Sequence, residues 1–167
     1  MKKAATFLFA VLILFSCRIS YQFNGASIDY NVIKTINIKD FQNQAMSVYP
    51  MLTQVFNETL KDHYTKNTKL RFTPDNPDLE LEGEIVRYEL TPQAVKDDAF
   101  ASQTRLTIAV RMRYYNNKNS NENKEETISA YRDFPSDRLL DEVRDQLIEE
   151  ISVDVVDQIF NMTLSNW

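Results

Sequence analysis

Asp78-Leu-Glu-Leu-Glu-Gly-Glu-Ile-Val-Arg-Tyr-Glu-Leu90 and Gln103-Thr-Arg-Leu-Thr-Ile-Ala-Val-Arg-Met-Arg-Tyr-Tyr115 are the stretches whose reading decides the fold. In the first, Leu79, Leu81, Gly83 and Ile85 share one phase and Glu80, Glu82 and Glu84 the other. In the second, Leu106, Ile108, Val110, Met112 and Tyr114 alternate with Arg105, Thr107, Ala109, Arg111 and Arg113. Period-two alternation is the pattern of a strand with one face buried. After Ile85 the apolar phase moves to Val86, Tyr88 and Leu90, which predicts a bulge or twist in the strand. One outward row is acidic and the other basic, so the two strands suit each other as neighbours.

Working outward, Asn116 to Lys124 is entirely polar and reads as an exposed hairpin loop. It leads into a weaker strand, Glu125 to Phe134. Upstream, Lys34 to Phe41 alternates through Ile36 and Ile38 as a first strand. Val48, Met51, Leu52, Val55, Phe56, Leu60 and Tyr64 recur at three and four, the stripe of one helix, with Ser47 placed to cap it and Pro50 in its first turn. Thr73 to Asp78 is a turn. After Pro135, Ser136 is placed to cap a long second helix, with Asp137 beside its positive end. Its stripe is Leu140, Val143, Leu147, Ile151, Val155 and Ile159, broadened by Leu139, Ile148, Val156 and Phe160. The order strand, helix, three strands, helix predicts an α+β two-layer sandwich: two helices on one face of a four-stranded mixed sheet.

The amino terminus has another task. Met1-Lys2-Lys3 precedes an apolar run from Ala4 to Phe15, the layout of a secretory signal peptide and well short of the ~20 apolar residues that a stable span requires. Leu14-Phe15-Ser16-Cys17 resembles the lipobox of bacterial lipoproteins. Residues 1–16 therefore read as a removed signal, 17–33 as a tether lipidated at Cys17, and 34–167 as a single domain. Cys17 is the only cysteine, so the domain has no disulfide and must be held together by its core.

Without residues 1–16 the chain carries 17 basic and 24 acidic residues, a net charge of −7. That balance lacks the broad positive field of a nucleic-acid binder. Catalysis finds little support. His63, the only histidine, reads as a solvated helix-end residue, and no Ser-His or Cys-His set can be assembled. Glu80, Glu82 and Glu84 read as a solvated row rather than catalytic carboxylates. Asp75-Asn-Pro-Asp78 lacks the glycine and distal glutamate of a calcium loop, and no metal or cofactor is expected. Asn57-Glu-Thr59 and Asn161-Met-Thr163 match a glycosylation pattern but lie in predicted helices. Arg105, Arg111 and Arg113, aided by Lys96 and Lys118, are the candidate contacts for a phosphate or a carboxylate of a partner; the other reading pairs them with Glu80, Glu82 and Glu84 across the sheet.

The signal and Cys17, followed by Ile19-Ser-Tyr-Gln-Phe-Asn-Gly-Ala-Ser27, Thr35-Ile-Asn-Ile38, Asp78 to Ile85, Arg105-Leu-Thr-Ile-Ala-Val110 and Asn166-Trp167, resemble the lipopolysaccharide-assembly lipoprotein family LptE in its Bacteroidetes form. The resemblance implies an outer-membrane lipoprotein facing the periplasm. It also implies two helices on a four-stranded sheet, and a domain that plugs the LptD β-barrel and assists lipopolysaccharide transport and insertion. Arg18 and Ile19, which follow the cysteine without acidic residues, agree with the periplasmic side. The competing expectation is a periplasmic carrier of a lipid or small molecule, with a cavity between sheet and helices.

Overall fold

A computed structural model describes residues 28–93 and 102–164; the signal, Cys17, Lys96 and the terminal Asn166-Trp167 lie outside them. In chain order the elements are β1 (Thr35–Ile38), β2 (Gln42–Asn43), α1 (Pro50–Asn67), β3 (Arg71–Phe72), β4 (Leu79–Gln93), β5 (Gln103–Asn116), a 3-10 turn (Ser120–Glu122), β6 (Lys124–Pro135) and α2 (Leu140–Leu164). The sheet runs β3-β1-β4-β5-β6, with β2 also paired to β4. β1 pairs in parallel with β3 and with β4, and β2 in parallel with β4, while β4, β5 and β6 are antiparallel. The expected α+β class and mixed sheet are present, but four strands is a correction: there are six among the described residues. The two extra ones, β2 and β3, are two-residue pieces too short to show any alternation.

The alternation of β4 and β5 translates directly into burial. Leu79, Leu81 and Ile85 on β4 and Leu106, Ile108, Val110, Met112 and Tyr114 on β5 form the inner face with Ile36, Ile38, Ile128, Ala130 and Phe134. The phase change is a bulge: Ile85 pairs with Val110 and Arg87 with Ala109, leaving Val86 as the extra residue. Both helices cover this inner face. α1 buries Leu52, Phe56, Asn57, Leu60 and Tyr64, while Val48 and Met51, which the stripe placed inside, are exposed near its start. α2 buries Val143, Leu147, Ile148, Ile151, Val155, Val156, Ile159 and Phe160. The Tyr64 hydroxyl joins the helices, donating to Thr163 Oγ1 at 2.6 Å, because Thr163 gives its own proton to the Ile159 carbonyl.

Neither expected cap is used. The residue before α1 is Tyr49, with no side-chain cap and Pro50 in the first turn. Ser136 continues the strand instead: its N–H donates to Ser102 O and its hydroxyl meets Thr104 Oγ1 at 2.9 Å, so α2 starts only at Leu140.

Two polar devices fix how the layers meet. The buried side-chain amide of Asn57 accepts from Phe41 N at 2.8 Å and donates to Phe41 O at 3.0 Å and Thr53 O at 2.9 Å. The Phe41 ring then lies over Gly83, where a Cβ would overlap both that ring and the Arg111 carbonyl oxygen. That close approach is what glycine serves here. At the sheet's lower end, Asp78 Oδ2 accepts from Lys34 N, Thr35 N and Thr35 Oγ1 at 2.8 to 3.0 Å, and Lys118 Nζ lies 3.0 Å from Oδ1.

Burial opposes the charge on Asp78, but these donors outweigh it and hold the carboxyl at about 2. A carboxyl held below its ordinary value stabilises the fold fully above its unfolded pKa, near 4, and loses that contribution as pH falls through the folded one. Asp78→Asn should therefore cost about 2 kcal/mol at neutral pH, with the gap to the parent closing toward pH 2. Urea denaturation across that range checks this, and a gap independent of pH would refute it.

Candidate functional site

The sheet has one face covered by helices and one that is not. The open face is built from the second set of alternate positions, and the antiparallel registers Glu82↔Arg113, Glu84↔Arg111 and Arg105↔Asp133 place its charges side by side. Arg113 is the hub. Its Nε lies 3.1 Å from Glu82 Oε1, and its two terminal nitrogens take both oxygens of Glu84 at 3.2 and 2.9 Å. Such a fork fits a carboxylate bidentately. Lys39, on the segment after β1, reaches Glu82 at 2.7 Å and extends the row past β4.

These contacts leave their mark on ionisation. The hydrogen bonds that it donates to Glu84 and then to Glu82 hold the Arg113 guanidinium well above its ordinary value. Lys39 first, and Arg113 second, pull the Glu82 carboxyl down. Arg105 forms a separate bidentate pair with Asp133, at 2.7 and 2.8 Å, and its guanidinium stacks 3.6 Å above the Tyr131 ring. The hydrogen bond from Arg105 lowers the Asp133 carboxyl in turn.

The three candidate arginines thus share one face but not one site. Arg111 and Arg113 meet the β4 glutamates as the cross-strand reading had it. Arg105 instead faces β6, where Asp133 is its partner, and Glu80 accepts from Asn117 Nδ2 at 2.9 Å. Arg111 is the least committed, half exposed with a single 3.5 Å approach to Glu84. Lys118 is spent on Asp78, so the turn before β4 uses its carboxylate to hold backbone. His63 sits between the helices, edge-on to Phe160 at 4.7 Å between ring centroids, with Nδ1 3.3 Å from Asp157. It is less solvated than its place near a helix end implied. Among the described residues no group of three or more His, Cys, Asp or Glu side chains is arranged to hold a metal, and no helix is long and apolar enough to cross a membrane.

Sequence reasoning missed a groove at the far end of the sheet, lined by Val48, Tyr49, Tyr88, Leu90, Leu140 and Arg144. Only the phase change at Val86, which carries Tyr88 and Leu90 to the inner side, hinted at it. For the charged face, a double-mutant cycle of Arg113→Met with Glu84→Gln should show about 1 kcal/mol of coupling, against a few tenths at most for Arg111→Met with Glu84→Gln. Equal couplings would contradict the geometry.

A sequence profile described as LptE, lipopolysaccharide-assembly, matches residues 33–163. No curated protein matches the chain. Among solved structures, a minor lipoprotein of Acinetobacter baumannii is similar with a TM-score of 0.52 at 17% identity, over 77% of this chain and 90% of that one. A protein of Xanthomonas campestris reaches 0.54 at 13% identity, over 80% and 85%. A hypothetical protein of Chlamydia trachomatis reaches 0.51 at 10%, over 80% and 99%. At such identities these likenesses speak for the fold alone. The profile spans most of the sequence, from Ile33 in the core to Thr163 at the end of α2, and the chain belongs to the LptE family of lipopolysaccharide assembly.

Proposed function

We propose that this chain is a lipoprotein held by lipids on Cys17 at the periplasmic side of the outer membrane. Its domain occupies the lumen of an LptD-like β-barrel and assists lipopolysaccharide transport and insertion there without catalysis of its own. Residues 17–33 serve as the tether, and its Ile28, Tyr30 and Ile33 pack on the core. The observation that carries the reading is the open face of the sheet. Glu82, Glu84, Arg105, Arg111, Arg113, Thr127, Ser129 and Asp133 cover it, with charges neutralised in pairs. Barrel lumens are polar and varied in charge. A face whose ions are already paired can enter such a space without stranding a buried charge.

Arg111 is the arginine we assign to a partner carboxylate or a lipopolysaccharide phosphate, since its fork is the least occupied of the three. The carrier reading gains no comparable support: Phe56 and Met112, at the interface where its cavity was expected, are fully buried. Extraction of the epitope-tagged chain in mild detergent should recover a large barrel protein in equal amount, and Cys17→Ser should remove the chain from the outer-membrane fraction. A chain that purifies alone overturns the lumen assignment.

A further inference from the structure

At the end of the sheet remote from Ile28, β4 is paired on one side only. β1 accompanies it at Leu79–Leu81 and β2 at Glu84–Ile85. Gln44 N donates to Ile85 O at 2.8 Å, and the chain then leaves for α1. From Arg87 to Gln93 β4 is bonded to β5, and among the described residues no strand pairs with its other edge. The Val86 bulge stands at the point where that edge opens.

Below this edge, on the helix side, lies the groove of about 500 Å³ between the Ser47–Tyr49 segment, β4 and the start of α2. Its surroundings are apolar and exposed: Met46, Val48, Leu90 and Leu139. Two polar atoms of its lining residues, Tyr88 Oη and Arg144 Nε, are buried and have no hydrogen-bond partner among the described residues. Arg144 is held beside them by its stack on the Tyr49 ring, at 4.7 Å, and by a terminal nitrogen on Asp141. Burial raises the Tyr88 hydroxyl pKa, and the nearby Arg144 charge acts against that rise.

A buried donor without an acceptor costs about 1–3 kcal/mol, which a ligand oxygen recovers on binding. The ligand oxygen is not a carboxylate, because Asp141, Asp145 and Glu89 already crowd this end with negative charge. A neutral carbonyl suits the two donors. An unpaired strand edge asks for a run of backbone N–H and C=O groups, and an apolar groove beneath it asks for side chains at alternate positions. One class of molecule meets all three demands.

We propose that Arg87–Gln93 and the groove beneath it take an extended peptide segment of a partner protein, added to the sheet as a strand. Alternate aliphatic side chains enter between Val48, Leu90 and Leu140, and a peptide carbonyl accepts from Tyr88 Oη or Arg144 Nε. The other long edge, β6, offers no such seat, since Ile128, Ala130 and Phe134 on its inner side are buried beneath α2. The site lies on the helix side, so it is independent of the lumen assignment made for the open face.

The test uses the full chain in phosphatidylcholine nanodiscs and a capped, fluorescein-labelled heptapeptide of alternating lysine and valine, followed by fluorescence anisotropy. Saturable binding over empty nanodiscs is expected, with a benzophenone version of the peptide cross-linking within residues 47–49 and 86–93. Leu90→Lys should weaken it at least about tenfold by placing a charge in the groove. Tyr88→Phe should weaken it about fivefold while leaving the thermal midpoint equal or higher, because it removes an unpartnered hydroxyl. Cross-links along β6, affinities unchanged by both substitutions, or a lowered midpoint in Tyr88→Phe each overturn the proposal. So does a spin-labelled stearate that displaces the peptide and broadens the signals of the groove, which would assign it to an acyl chain.

Discussion

The side-chain amide of Asn57 holds the backbone of Phe41 by both its N–H and its carbonyl, and the two-layer arrangement depends on that clamp. The residue lies in the middle of α1, whereas Phe41 lies between β1 and β2. Through it the helix is fixed to the chain that leaves the sheet, and the Phe41 ring is pressed onto Gly83. A buried amide left unpaired is costly, so the bonds form together or not at all. They set the height and rotation of α1 over the sheet, which apolar contacts alone leave less sharply defined.

With α1 fixed and α2 packed beside it through Tyr64 and Thr163, the inner face is covered except at the far-end overhang, and every polar requirement of the open face must be met within the sheet. Arg113, Glu82, Glu84 and Lys39 meet it as one group, and Arg105, Asp133 and Tyr131 as another. Partly exposed pairs of this kind add little stability. They leave the open face matched in charge rather than of one sign. The same one-sidedness creates the far-end groove, because β4 and β5 outrun β1 and β2 while the helix starts do not close over the overhang.

Much of this was legible in the sequence because period-two alternation in β4 and β5 is strict and the phase change at Val86 is a local signal for a bulge. The helices were legible as stripes, although their first turns were not: Val48 and Met51 are exposed, and Ser136 serves the strand rather than the helix. β2 and β3 leave no trace in periodicity, since each is defined only by the neighbour that it pairs with. The arginine partners were half legible, because facing residues depend on register. Arg113 could be matched to β4 glutamates, but the pairing of Arg105 with Asp133 needs the position of β6. Asn57 lay within what reads as a glycosylation pattern, and only its tertiary setting makes it a clamp. The groove is assembled from three distant segments, so no single stretch announces it.

The central claim is that the open, charge-paired face of the sheet meets the barrel. Tyr131 reports on that face directly: it is 50% exposed, stacks under Arg105 and is readily oxidised by hydroxyl radicals. Hydroxyl-radical footprinting of the free chain and of the chain purified with its barrel partner decides the matter. The account predicts that oxidation of Tyr131 falls several-fold in the complex, whereas equal oxidation in both states would contradict it.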